Sequence, residues 1–205
     1  MIELVVFDMD GVLADLDRAR RLELLAEMTG RTPAFLKAAI WDSDFEPGAE
    51  RGSCATGDEY LAEWNWRTKC QLTRAQWVRA RREAMTVRPE TLRIAEAARS
   101  HCGIAMLTNN GPLLYEALSE ILPDVFRIFG SRAHASFQFG AAKPEPQVFE
   151  RLARRYGVDP ARAVVVDDDP AYVAGARAAG LRGIDYSGPP ELRRRLLALG
   201  LRLEG

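Results

Sequence analysis

The sequence predicts an α/β fold: a Rossmann-like parallel sheet with helices on both faces, plus an all-helical cap inserted after the first strand. Three observations predict it. A short β-branched apolar run, Ile2 to Phe7, opens the chain and reads as a strand buried on both faces. From Asp15 to about Arg88 there is no convincing strand, only helical patterning. After Pro89, short apolar runs alternate with helical periodicity, the order that builds a parallel sheet with helical crossovers. The expected division is residues 1–14 and 89–205 for the α/β core and residues 15–88 for the cap.

Each element has its own reason. Leu16 to Met28 places Leu22, Leu25 and Met28 among charges, a helical stripe. Thr32-Pro33 opens a second helix, with Thr as cap and Pro at the first helical position. Asp42 to Gly57 carries acids, glycines and a proline and is expected to be a loop. Gly57 to Lys69 and Thr73 to Met85 read as helices, the second opened by a Thr73/Gln76 capping box. In the core, Glu90 to Ser100 reads as a helix, Gly103 to Leu107 as a buried strand and Gly111 to Leu122 as a helix. Val125 to Phe129 is expected to be a short strand. Glu145 to Tyr156 puts Val148, Phe149, Leu152 and Tyr156 on one helical face. Ala163 to Val166 is a third clear strand, and Pro170 to Ala179 a helix ended by Gly180. Leu181 to Tyr186 forms a weak strand, and Pro190 to Leu201 a last helix with Leu192, Leu196 and Leu199 inward.

Composition excludes several classes. Of 205 residues, 47% are hydrophobic and 28% charged, too apolar for a disordered chain. Lys and Arg total 28 against 29 Asp and Glu, so no net field draws the chain to nucleic acid or an anionic membrane. There is no apolar run of spanning length and no basic, cleavable leader, so a cytoplasmic protein is expected. Cys54, Cys70 and Cys102 are odd in number and scattered, which fits free thiols in a reducing compartment. His101 and His134 lack partner motifs and read as structural, and Arg193 to Arg195 as the wet face of the last helix.

In an open parallel sheet, ligands bind beyond the carboxyl ends of the strands. Here those ends carry Asp8 and Asp10 (FDMDG), Thr108 and Asn109 (MLTNN), and Asp167, Asp168 and Asp169 (VVVDDDP), while a loop adds Lys143 (AAKPEPQVF). So many acids cannot all stay ionised at close range without a cation, and an all-oxygen set suits Mg²⁺. A pocket of Mg²⁺, lysine, hydroxyl and backbone donors suits a phosphoryl group. A carboxylate can attack phosphorus and form an acyl phosphate. Asp8 is then the nucleophile and Asp10 the proton donor and acceptor. Asp169 is expected mainly to cap the helix at Pro170.

FDMDGVL, LTNN, KPEPQVF and VVVDDDPAYVAGARAAG, in this order, resemble the four motifs of the haloacid dehalogenase superfamily. The resemblance covers the whole core, and a cap straight after the first motif matches one subgroup. It is similar to small sugar-phosphate phosphatases and to the N-terminal phosphatase domain of epoxide hydrolases. The resemblance implies that Asp8 and the Asp10 main-chain carbonyl bind Mg²⁺ and that Thr108, with Asn109 beside it, binds phosphate. It further implies that Lys143 neutralises nucleophile and phosphate. Asp168 would be the direct metal ligand of the last motif, with Asp167 supporting the metal through water or holding Lys143. Tyr172 stands where the family often has Asn, a supporting position. Asp10 and Asp168 argue for phosphate over halide. The partner is therefore expected to be a small phosphorylated metabolite, and the chain a monomer or homodimer. Two alternatives are a phosphomutase, disfavoured by the short cap, and a phospho-acceptor signalling module without turnover. Glu46, Glu50 and Arg51 are candidates for specificity contacts. Trp41, Trp64, Trp66 and Trp77 are expected in the cap core or at the contact between cap and α/β core, with one of them a candidate to stack on a substrate ring.

Overall fold

A computed structural model describes residues 1–203. In chain order the elements are β1 (Leu4–Phe7), β2 (Ala14–Leu16), α1 (Arg18–Thr29), α2 (Pro33–Ile40), α3 (Phe45–Glu50), α4 (Gly57–Thr68), α5 (Arg74–Glu83) and β3 (Met85–Val87). The remainder is α6 (Pro89–Arg99), β4 (Gly103–Thr108), α7 (Pro112–Ile121), α8 (Pro123–Phe129), β5 (Ala133–Ala135), α9 (Pro146–Tyr156), β6 (Ala163–Asp167), α10 (Pro170–Ala178), β7 (Arg182–Asp185) and α11 (Pro189–Ala198).

Five strands form one parallel sheet in the order β5-β4-β1-β6-β7. The apolar run at the start is its middle strand, and all four β1 residues are buried. Alternation along the strands divides the core in two. Val5, Phe7, Ile104, Met106, Val164 and Val166 face one hydrophobic cluster, shared with α6, α7 and α11. Leu4, Val6, Ala105, Leu107 and Val165 face the other, filled by Val148, Phe149 and Leu152 of α9 and Ala176 of α10. The sheet thus carries helices on both faces, as expected.

Between β2 and β3 the structure is helical, and these two strands pair antiparallel, Ala14 opposite Val87 and Leu16 opposite Met85. The two ends of the helical segment therefore lie side by side. The buried Leu24, Leu25, Leu36, Trp64 and Trp77 of the helical segment join the same cluster as one face of the sheet. Capping follows the sequence: Asp17, Thr32 and Thr56 accept N-terminal amides of α1, α2 and α4, and Thr73/Gln76 form a complete capping box on α5.

Three expectations need correction. Val125 to Phe129 is not a strand but most of α8. Pro123 opens that helix, and the buried Val125, Ile128 and Phe129 have helical spacing, which so short an apolar run does not distinguish from a buried strand. The strand at that edge of the sheet is instead β5, not expected from the sequence, whose Ala-His-Ala carries little β propensity and forms because it pairs with Met106 to Thr108. The segment from Asp42 to Gly57 is not all loop, since α3 lies within it, with Phe45 and Ala49 buried. The β2–β3 ribbon was not expected from the sequence at all.

Candidate active site

Phe7 pairs with Met106 on one side and Val166 on the other. Asp8 therefore leaves the sheet beside Thr108 and Asp167, at the carboxyl ends of the three central strands. Asp8, Thr108, Lys143 and Asp167 are all buried. Lys143 Nζ lies 2.7 Å from Asp8 Oδ1 and 2.6 Å from Asp167 Oδ2. One ammonium thus bridges two buried carboxylates from neighbouring strands. Asp167 Oδ1 accepts the Asp169 amide at 3.0 Å, so both of its oxygens are engaged.

The Lys143 loop is held from two sides. Asn109 Nδ2 donates to the Lys143 carbonyl at 2.8 Å, and the Lys143 amide donates to Asn109 Oδ1 at 2.9 Å. Asn109 thus stands at the site, but its amide is spent on the main chain that carries the lysine. From the other side, the Pro144 carbonyl comes so close to Gly175 of α10 that a Cβ there would lie 2.0 Å from it. Gly175→Ala must displace this backbone, at an expected cost of about 1–3 kcal/mol. Thermal unfolding of the variant checks this, and an unchanged melting temperature would show that the loop yields freely.

Gly11 has φ of +87°, and a Cβ there would lie 2.2 Å from Asp168 Oδ2. A glycine at this turn therefore lets the Asp168 carboxylate swing in beside the first motif. Carboxylate oxygens of Asp8, Asp167 and Asp168 lie within 4.8 Å of one another. Burial pushes Asp8 up to about 7 against the pull of Lys143, with Asp167 and Asp10 adding to the rise. Burial and Asp167 also raise Asp168. Burial alone would lower Lys143, but Asp8 and Asp167 outweigh it and hold the ammonium above its ordinary value. Three oxygen donors, two of them reluctant to ionise, fit a small divalent cation, which would favour the charged form of each.

Thr108 Oγ1 accepts from Asn110 Nδ2 at 2.8 Å, which leaves its own proton to donate. Asp169 caps α10 through the Ala171 amide, as expected. Tyr172, in the position where Asn is usual, sets its ring 4.8 Å from Lys143 Nζ, a cation–π contact over the lysine.

Asp10 is where the structure adds most. Both its carboxylate oxygens lie within 3.1 Å of Nη2 of Arg81, a buried residue of α5. Sequence reasoning missed Arg81, Arg21 and Asn110. Each carried a signal. Arg81 follows Trp77 by four residues, and Arg21 precedes Leu25 by four, so each charge sits on an apolar helical stripe. Asn110 carried one too, as the last residue of the LTNN motif. Of the specificity candidates, Glu46 and Glu50 line a cavity beside Asp10, whereas Arg51 pairs with Glu145 at 2.7 Å. Trp64 and Trp77 are buried as expected, Trp41 lines the cavity, and Trp66 is exposed.

A parallel sheet whose central strand ends converge on carboxylates, a lysine and a threonine defines a class that matches a known family. The model of the haloacid dehalogenase-like hydrolases matches residues 2–180. The chain belongs to this family of hydrolases. It is 30% identical to Phosphatase MT3486 of Mycobacterium tuberculosis, over all of this chain and 98% of that protein. Among solved structures, a predicted HAD-like hydrolase from Porphyromonas gingivalis aligns at a TM-score of 0.79 and 23% identity, over 96% of this chain and 98% of that one. A HAD family enzyme from Bacteroides thetaiotaomicron, in complex with magnesium and inorganic phosphate, aligns at 0.73 and 19% identity, over 91% and 95%.

Proposed function

We propose that the protein is a Mg²⁺-dependent phosphatase that hydrolyses a small phosphorylated metabolite through a phospho-Asp8 intermediate. The observation that carries this reading is the bridge from Lys143 to Asp8 and Asp167, set beside the Thr108 hydroxyl and the Asp168 carboxylate. The phosphatase named among its relatives, and the magnesium and phosphate of a structural neighbour, support it.

A carboxylate oxygen of Asp8 attacks phosphorus as the ester oxygen leaves, and Asp10 gives that oxygen a proton. Water then attacks the phosphorus of phospho-Asp8 while Asp10 takes a proton from it, which releases inorganic phosphate and restores Asp8. Lys143 and the Thr108 hydroxyl offset charge on the transferring oxygens. Asp8, the Asp10 carbonyl and Asp168 would hold Mg²⁺, with Asp167 supporting it from behind while it holds Lys143. The cation supplies charge neutralisation at the phosphoryl oxygens. Residues 15–88 act as a cap on the core of residues 1–14 and 89–205. Arg81 ties that cap to Asp10, so Asp10 turns from Arg81 to reach the leaving oxygen.

The purified protein should release phosphate from p-nitrophenyl phosphate with Mg²⁺ and stop when EDTA removes it. Metal-induced stabilisation provides a second readout. The folded value of about 7 for Asp8 lies above its ordinary 3.8, so folding takes up a proton between those values. The Asp8 contribution to metal-free stability therefore weakens as pH rises through that window. A cation that favours the carboxylate reverses this, so Mg²⁺ should raise the melting temperature more at pH about 8 than at about 5. Equal shifts at both would refute ligation by Asp8.

A further inference from the structure

Next to Asp10 and Asn109 lies a cavity of about 540 Å³, walled by α1, α2, α3 and α5. That volume suits a metabolite. Arg21 of α1 lines it and is only 7% exposed. Among the described residues its guanidinium makes no hydrogen bond and no ion pair, and Nε is sealed from solvent without a partner. Its close neighbours are the rings of Trp41 and Trp77, 5.2 and 5.1 Å from the guanidinium carbon. Indole faces attract a cation but carry no formal charge to neutralise it.

The surrounding acids, Glu46 and Asp10, favour its charge, but neither pairs with it. Arg81 is committed to Asp10. Glu46 accepts the Tyr60 hydroxyl at 2.5 Å, and burial raises its carboxyl against the pull of Arg21. Burial and Glu46 push Glu50 up to about 7. Burial and Arg81 push Arg21 itself down to about 10. A buried guanidinium left unpaired in this way is costly. A sugar hydroxyl could accept a bond from it without removing the charge, whereas a carboxylate or phosphate does both through two parallel N–H bonds.

We infer that Arg21 is an anion anchor and that the substrate is a phosphomonoester bearing a second anionic group, which enters this cavity while the scissile phosphate sits at Asp8. This rests on the phosphatase reading and narrows its substrate class.

The test compares matched esters. Glycerol 3-phosphate and 3-phosphoglycerate differ by a carboxylate, and fructose 6-phosphate and fructose 1,6-bisphosphate by a second phosphate. In at least one pair, kcat/KM of the wild-type protein should be higher for the doubly anionic member by about tenfold or more, as for a charge-assisted contact. The pair that shows it identifies the anion. Arg21→Met should bring that ratio toward one, chiefly through KM, and Arg21→Lys should retain part of it. A wild-type ratio near or below one in both pairs overturns the inference even if Arg21→Met does not fold. A ratio unchanged in Arg21→Met overturns it too. In both cases the phosphatase reading stands as long as the wild-type protein hydrolyses p-nitrophenyl phosphate. If no phosphomonoester is hydrolysed, that reading fails and this inference falls with it.

Discussion

Asp8→Asn is expected to lower turnover of any phosphomonoester by on the order of 10⁴-fold or more, the scale of losing a group on which every later step depends. The substitution keeps size and shape, so the fold should survive. It also removes the buried acid whose ionisation burial opposes, so the variant should be at least as stable as wild type without metal. An inactive but stable variant is therefore the expected pair of results, read by phosphate release and thermal unfolding on the same preparation. Wild-type turnover in Asp8→Asn would sink the phospho-Asp8 mechanism. Loss of both activity and fold would show instead that Asp8 is structural.

Lys143→Met should cost most in stability. The lysine is buried between Asp8 and Asp167, and Asp167 is fully buried. Removing the ammonium leaves two carboxylates facing each other in the interior, an expected loss of about 3–5 kcal/mol. Adding Asp167→Asn to Lys143→Met should recover part of the loss, because it relieves one of the unpaired charges. Urea denaturation of the wild type, the single variant and the double variant measures this. A Lys143→Met midpoint equal to wild type would mean that the three groups are not coupled in stability. Activity should fall in both variants, since the phosphoryl oxygens lose a positive neighbour.

The contrast between these residues and Arg81 shows how far the sequence could be read. Asp8, Thr108 and Asp167 each end a short apolar run, and a parallel sheet gathers such ends at one edge. Nothing more than strand period was needed to bring them together. Lys143 is different, since its place depends on the Asn109 amide and on Gly175, contacts that no local pattern announces. The β5 strand eluded the sequence because Ala-His-Ala becomes a strand only when β4 offers it partners. The Val125 to Phe129 run misled because four apolar residues around one arginine satisfy strand and helix alike until a proline and two neighbouring helices decide.

By itself, then, the sequence determined the alternation of strand and helix, the helical stretch between β2 and β3, and which acids and hydroxyl stand at the ends of the central strands. These rest on periodicity and on strand-end chemistry, which are local. Tertiary structure alone decided that Asp167 holds Lys143, that Arg81 grips Asp10, and that Arg21 stands unpaired between two indoles. Such pairings join residues up to 71 positions apart and depend on how helices pack on one another. A charge on an apolar stripe shows only that something must compensate it, and packing decides whether that is a neighbour or a ligand.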